Sequence, residues 1–250
     1  MRVAVTGACG RMGGWITQNV LSNDDMELVA AFDIAGIGSK IGNNAIVSDP
    51  QEMRSVLRET KSDVMIDFTF ADTSVQNIKA AVECDTNIVV GSTGFSDDQK
   101  KEMAEVIGKN IGAVISPNFS IGVNVFWKLI GEAQEYLKDY DVEIIEIHHK
   151  HKKDAPSGTA VYAAELLGDK FVHGRSGICP RNEGEIGIHS VRGGDVVGDH
   201  TVLFAGEGER LELIHRAHSR QSFASGAIKA ARWIMTAEKG IHSFDEVLGL

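Results

Sequence analysis

Six consecutive positions of this chain, 148 to 153, hold His148, His149, Lys150, His151, Lys152 and Lys153, and Pro156-Ser157-Gly158-Thr159 follow almost at once. Histidine titrates near neutrality and can hand a proton to an atom that is gaining negative charge. A lysine beside it holds negative charge and can also donate a proton. Pro156 fixes the chain ahead of Ser157, an N-cap residue by type, before the helix-forming run GTAVYAAELL. The N–H groups of Gly158 and Thr159 then open the helix outward, where a carboxylate is stabilised. Clustered cations next to a helix N-terminus point to a small substrate with more than one carboxylate. Two blander readings stand beside this one. A metal site fits poorly, because adjacent His148 and His149 on a strand point to opposite faces, and His151 lacks a spaced partner. A solvated charge run is the other.

A second stretch with chemical meaning is VAVTGACGRMGG, with Gly7, Gly10 and Gly13 between a strand and a helix. Glycines there let backbone N–H groups approach a pyrophosphate, and the helix N-terminus adds partial positive charge. The spacing is G-x-x-G-x-x-G, with Cys9 where the common dinucleotide fingerprint has its second glycine. A plain strand–helix turn is the alternative. Asp33 ends the next strand, about twenty residues beyond the last glycine. A carboxylate there accepts the adenine ribose hydroxyls and repels a 2′-phosphate, which favours NADH. Ile34 follows it, and Arg11 in the loop could still reach the phosphate of NADPH. Gly91-Ser92-Thr93-Gly94 and Ser116-Pro117-Asn118-Phe119 each follow an apolar strand. In an open parallel sheet such loops border the ligand crevice, here the nicotinamide half.

The elements that must position these residues are legible in the hydrophobic pattern. Residues 2–6, 27–32, 64–67, 87–90 and 113–115 read as short buried strands. Residues 15–21, 73–83 and 97–109 read as helices between them. That alternation predicts a parallel sheet covered on both faces. After about residue 120 the pattern changes. Residues 141–148 read as a longer, half-buried strand, followed by strands at 185–192, 196–205 and 209–217 joined by short turns. Three strands joined so tightly are most simply antiparallel. Residues 223–238 read as a closing helix that packs back on the first domain.

Composition bounds the rest. The 250 residues are 43% hydrophobic and 24% charged, with a formal net charge of −10, which argues against general nucleic-acid binding. No apolar run approaches the roughly 18 residues of a membrane span, and the N-terminal run is too short for a signal peptide. Cys9, Cys84 and Cys179 are scattered, with neither disulfide nor metal spacing, so a reduced cytoplasmic protein is expected.

The segment EIIEIHHKHKKDAPSGTA, with the loop GACGRMG, resembles the 4-hydroxy-tetrahydrodipicolinate reductase (dihydrodipicolinate reductase) family. Its hallmark is a strand ending E-x-H-H-x-x-K-x-D-A-P-S-G-T. IDFT, VVGSTGF, SPNFSIGVNV, RGGDVVGDHTVLF and GERLELIHRAHSRQSFASGA follow the family's order along the chain. The resemblance implies an α/β protein: a Rossmann-like parallel-sheet nucleotide domain from residues 1–119 and 221–250. It also implies a central α+β substrate and oligomerisation domain, residues 120–220, with an open mixed sheet that assembles a homotetramer. It implies reduction by NADH or NADPH of the dehydrated cyclic substrate to tetrahydrodipicolinate, in diaminopimelate and lysine biosynthesis. Carried over by motif position, His148 is the proton donor or acceptor, and Lys152 is the second catalytic and substrate-binding cation. His149 and the segment Ser157, Gly158 and Thr159 bind substrate carboxylates. Gly7, Ala8, Cys9, Gly10, Arg11, Met12, Asp33, Gly91, Ser92, Thr93, Ser116, Pro117, Asn118 and Phe119 line the cofactor. Ile34 stands where some relatives carry arginine, which argues against strong NADP use. Asp199 replaces a common glutamate with its charge kept. Two other readings are another two-domain amino-acid dehydrogenase, which leaves His148, Lys152 and the SGT motif unexplained, and a dinucleotide sensor without catalysis, which would have no need of both cations.

Overall fold

A computed structural model describes residues 1–42 and 45–250, and its backbone divides into two units. One unit comprises residues 1–120 and 221–249, the other residues 121–220 with Leu250. Along the first unit run β1 (Arg2–Thr6), α1 (Arg11–Leu21), β2 (Glu27–Phe32), β3 (Lys40–Ile41) and β4 (Ala45–Ser48). A 3₁₀ turn at Pro50–Glu52 leads into α2 (Met53–Thr60), then β5 (Val64–Asp67), α3 (Ala71–Glu83), β6 (Asn87–Val90), α4 (Asp97–Ile107) and β7 (Gly112–Ile115). The second unit contains α5 (Ile121–Tyr136), β8 (Asp141–His148), α6 (Gly158–Glu165), β9 (Phe171–His173), β10 (Ile186–Arg192), β11 (Gly198–Ala205) and β12 (Arg210–Ala217). The chain re-enters the first unit with α7 (Gln221–Trp233), β13 (Gly240–His242) and α8 (Phe244–Leu248).

In the first unit the strand order is β13-β7-β6-β5-β1-β2-β4-β3, and every pairing is parallel except β3 with β4. The central strands β1, β2, β5, β6 and β7 are mostly apolar because both faces are covered. Val3 and Val5 of β1 pack with Ile16 and Val20 of α1 and Ala227 and Ile228 of α7. Ala4, between them, points to the other layer, with Met53, Leu57, Ile78 and Ile107 from α2, α3 and α4. Strand alternation thus divides one sheet between two cores. The order reverses at β1, whose neighbours are β2 and β5, so the loops leaving β1 and β5 diverge and open a crevice.

Several boundaries differ from the pattern reading. Helix α1 starts at Arg11 rather than at residue 15, because Gly13 belongs to its first turn. A Cβ at Gly13 would lie 1.9 Å from the Gly7 carbonyl oxygen, so the glycine packs the helix against the loop. Helix α4 stops at Ile107, where Gly108 caps it with φ +44°. Helix α7 covers residues 221–233, shorter than the expected 223–238. The pattern reading did not include α2, α5, α8 or the short strands β3, β4, β9 and β13.

The second unit has the sheet order β12-β11-β8-β10-β9. The α/β class and a mixed central sheet hold. The expected run of three consecutive antiparallel strands holds only in part. β11 and β12 form the antiparallel hairpin, but β10 and β11 do not pair, because β8 lies between them, parallel to β10 and antiparallel to β11. The connection over residues 193–197 steps across the end of β8, where Gly193 N donates to His148 O (2.9 Å) and Lys150 N to Gly194 O (3.2 Å). β8 holds the centre because its alternate residues Val142 and Ile144 pack under α5 and α6, against Phe126, Trp127, Ile130, Ala160 and Ala163. No helix among the described residues is long and apolar enough to cross a membrane.

Two glycines in helices separate packing from propensity. A Cβ at Gly226 of α7 would sit 1.7 Å from the Phe119 carbonyl oxygen, whereas a Cβ at Gly131 of α5 meets nothing within 4 Å. Gly226→Ala is expected to cost about 2 kcal/mol or more through forced backbone movement. Gly131→Ala is expected to gain about 0.5–1 kcal/mol. Calorimetric Tm values, lower for the first and higher for the second, check both.

Candidate active site

In the first unit, a cleft of about 460 Å³ opens at the carboxyl ends of β1, β2 and β5. Gly7, Gly10, Arg11, Met12 and Gly13 form one wall, Asp33 and Ile34 another, and Phe68, Thr69, Phe70 and Asn77 a third. Gly7 adopts φ +63°, a left-handed conformation open to glycine, and its carbonyl accepts Gly10 N at 2.9 Å. Gly10 caps α1 without a side chain, and no acidic residue occupies the helix's first turn. The donors of that turn therefore face the cleft with no built-in anion, which suits a pyrophosphate. Asp33 Oδ2 accepts Cys9 N and Oδ1 accepts Ala35 N, both at 2.9 Å, so the carboxylate is fixed at the rim with further acceptor capacity. These residues fit a dinucleotide. Burial, and then the charge of Asp33, push the Cys9 thiol up, which keeps it a neutral neighbour of the loop.

A buried network supports the far wall. The Asp67 carboxylate accepts Thr69 N (2.8 Å), Thr69 Oγ1 (2.7 Å) and Asn77 Nδ2 (3.0 Å). Ser74 Oγ donates to Ser92 Oγ at 2.6 Å, joining the start of α3 to the loop after β6. Ala8 is buried with its N–H on Phe32 O (3.2 Å), so it braces the loop and does not line the cleft. The Gly91–Thr93 and Ser116–Phe119 segments do leave the carboxyl ends of β6 and β7, as expected, but lie outside this cleft's lining. Ser116 Oγ donates to Asn118 O (2.9 Å), Pro117 is exposed, and Phe119 is core, with ring centroids 5.4 Å from Phe68 and 4.9 Å from Phe244.

In the second unit, His148 ends β8 with its side chain on the covered face, and Glu146 lies two residues earlier on the same face. His148 Nδ1 is 2.5 Å from Glu146 Oε2. Arg192, paired with His148 across β10, holds Glu146 with both terminal nitrogens, Nη1 to Oε2 and Nη2 to Oε1, each at 2.8 Å. Ser157 N donates to Oε1 at 3.2 Å. Burial raises the Glu146 carboxyl's pKa, but the bonds from His148 and Arg192 outweigh that and hold it well below the usual carboxylate range. Ser157 caps α6 by accepting Ala160 N (3.3 Å), and its Oγ lies 3.0 Å from His200 Nε2. Trp127 Nε1 donates to Thr159 O (3.2 Å), which fixes the first turn of α6 beside exposed Gly158.

Lys152 Nζ lies 2.9 Å from Asp154 Oδ2, on a carboxylate that is 60% exposed and can yield to a substrate. Burial, then the nearby Arg220 with His148, His151 and Lys152, push the His149 imidazole below its ordinary value. A field that opposes a proton there favours an anion. His149 Nδ1 is buried without a hydrogen-bond partner among the described residues. The structure therefore gathers His148, His149, Lys152 and Ser157 within one unit at the ends of β8 and α6. The pattern reading gave no role to Glu146, Arg192, Gly198 and His200. Glu146 and Arg192 stand in the quoted motifs, and the signal available was a charged residue at a buried strand position.

A crevice at the switch point of a parallel sheet is where such folds bind nucleotides, and with a second unit holding a buried histidine–carboxylate pair the chain has the organisation of a nucleotide-dependent oxidoreductase. Residues 1–119 match the model for the dihydrodipicolinate reductase N-terminus, and residues 122–248 the model for its C-terminus. The chain belongs to the dihydrodipicolinate reductase family. The 4-hydroxy-tetrahydrodipicolinate reductase of Methanosarcina mazei is 52% identical over 263 residues, covering 100% of both chains. That of Methanocaldococcus jannaschii is 48% identical over 268 residues, covering 100% of this chain and 98% of the relative. A solved structure of dipicolinate-bound dihydrodipicolinate reductase from Paenisporosarcina sp. TG-14 has a TM-score of 0.81 at 30% identity, with 98% of each chain covered.

His200 makes the site sensitive to acid. Burial, with the charge of His148 adding, pushes its imidazole down to about 3. The unfolded chain takes up this proton near the ordinary value of about 6.5, and the folded chain refuses it. Stability is therefore lost progressively as pH falls from about 6.5 towards 3, above the range where carboxylates protonate for the first part of that window. His200 alone is expected to account for about 2 kcal/mol between pH 7 and pH 5. Urea unfolding at the two pH values checks this, with the difference shrinking by about that amount in His200→Gln.

Proposed function

We propose that this chain uses NADH or NADPH to reduce the dehydrated form of 4-hydroxy-tetrahydrodipicolinate to tetrahydrodipicolinate, a step of diaminopimelate and lysine biosynthesis. The observation that carries the reading is the end-to-end match to relatives of that name in a chain that gathers His148, Lys152 and Ser157 at one site. The dipicolinate bound to the structural relative supports a small dicarboxylate as substrate. The sensor and amino-acid dehydrogenase readings explain neither the buried histidine–carboxylate pair nor the cations around it.

Residues 1–119 with 221–250 hold the dinucleotide, and residues 120–220 bind substrate and carry the oligomer contact. The nicotinamide, when bound, supplies the hydride. The protein supplies position and charge. His149 and the start of α6 at Ser157, Gly158 and Thr159 receive the substrate carboxylates, with Lys152 as their counter-cation. His148 gives a proton to the substrate as hydride arrives, so negative charge does not build up on the ring, and it recovers the proton from solvent. The Gly7–Met12 loop takes the pyrophosphate, and the Gly91–Thr93 and Ser116–Phe119 segments border the nicotinamide.

Asp33 makes NADH the favoured cofactor. Its carboxylate is fixed by Cys9 N and Ala35 N, where it accepts ribose hydroxyls and repels a 2′-phosphate. Ile34 beside it is 87% exposed and offers no cation. A cytoplasmic homotetramer is the assembly proposed. Ile145, Val191 and Ile214 stand half-exposed on the uncovered face of the β8 sheet, an apolar patch suited to a second copy.

The test is nicotinamide oxidation with freshly generated 4-hydroxy-tetrahydrodipicolinate. Substrate-dependent oxidation faster with NADH supports both reaction and cofactor assignment. Faster oxidation with NADPH keeps the reaction and removes the Asp33 argument. No oxidation by folded protein that still binds NADH brings the sensor reading forward. His148→Gln is expected to lower kcat by about 10²- to 10⁴-fold with substrate KM little changed. Lys152→Ala is expected to lower kcat and raise substrate KM together, and steady-state kinetics separate the two.

A further inference from the structure

Glu146 has no solvent exposure and is more than a neighbour of His148. Its two oxygens receive four donors: His148 Nδ1 and Arg192 Nη1 on Oε2, Arg192 Nη2 and Ser157 N on Oε1. Arg192 Nη2 also donates to Asp154 O at 2.6 Å, tying the same clamp to the loop that carries Lys152. An ionised carboxylate only accepts, so the imidazole nitrogen facing it must carry the hydrogen. That leaves Nε2 as the nitrogen that exchanges a proton. Beside Nε2 is Gly198 of β11, buried, where a Cβ would stand 3.0 Å from it.

We infer that Glu146 and Arg192 are positioning residues that fix His148 with its hydrogen on Nδ1, and that Gly198, by lacking a Cβ, gives the imidazole the room to sit in that orientation. The inference rests on the reading of His148 as proton donor and deepens it. A simple structural ion pair would need Arg192 and Glu146 alone. The third and fourth bonds turn that pair into a gauge, because one carboxylate sets both the orientation of the acid and the place of Ser157, where α6 begins. Arg192 has a second effect. It shares the carboxylate with His148, so Glu146 orients the ring without holding its proton as tightly as an unshared carboxylate would. His200 completes the surroundings, with its ring edge-on to His148 at 5.2 Å and a neutral imidazole that does not compete for Glu146.

Glu146→Gln keeps the shape but offers an N–H where the imidazolium also offers one. Its kcat is expected to fall on the order of 10²-fold. The KM for the dinucleotide should stay unchanged and that for substrate should move within a few-fold. Nitrogen-15 spectra of histidine-labelled protein, with the His148 signals assigned by their loss in His148→Gln, read the tautomer directly at a pH where the ring is neutral. The expected form is Nδ1–H in the unmodified protein and a changed or mixed form in Glu146→Gln. Gly198→Ala, at a strand position without a positive φ, puts a Cβ against the ring and should shift the His148 signals and lower kcat. The failures separate. Unaltered turnover of His148→Gln overturns the proton-donor assignment and the inference with it. An inactive His148→Gln beside a fully active, folded Glu146→Gln overturns the positioning alone. Should Glu146→Gln not fold, an Nε2–H ring in the unmodified protein overturns the inference and an Nδ1–H ring upholds it. A Gly198→Ala protein with unaltered kcat and KM overturns the role of Gly198.

Discussion

A carboxylate with no exposure to water must be fully satisfied where it stands, and Glu146 imposes that constraint on the second unit. An unpaired charge at such a position would cost several kcal/mol even after relaxation. Four donors meet the requirement, and they come from three separate parts of the chain: the end of β8, Arg192 of β10 with two nitrogens, and the turn into α6. The register in which Arg192 stands opposite His148 brings a guanidinium to that one point. The route of residues 193–197 over the end of β8 lets β10 and β11 flank the strand rather than pair with each other. The arrangement that satisfies a buried charge is also the one that orients the imidazole.

The first unit solves a different problem with a different material. Its cleft presents backbone donors at the start of α1, not charged side chains, because a pyrophosphate must approach closer than any side chain allows. Gly7 turns the chain, Gly10 starts the helix without a cap, and Gly13 lets the helix press on the loop. Asp33 then locks the loop from the next strand. Rigid positioning of neutral dipoles serves one unit, and a compensated cluster of charges serves the other.

The sequence by itself determined most of what depends on short-range pattern. Apolar runs gave the five core strands of the first unit, glycine spacing gave the loop between β1 and α1, and the His148–Thr159 stretch stood out by its concentration of cations and its helix start. These are local signals, set by backbone freedom, side-chain alternation and residue type. Helix α5 escaped notice because its buried Val123, Asn124, Phe126, Trp127 and Ile130 include a polar residue and sit among further apolar positions that blur the stripe.

Only the tertiary structure decided which strands flank β8, and therefore that Arg192 and Ser157 meet Glu146 from 46 and 11 residues away. It also decided that the Phe119 ring packs between Phe68 and Phe244, and that Gly198 stands directly against His148 Nε2. The reason is physical. A residue's type states what it can do, but a buried charge or an empty space acquires meaning only from the groups that packing brings to it. Those groups here lie far along the chain, where no periodicity connects them.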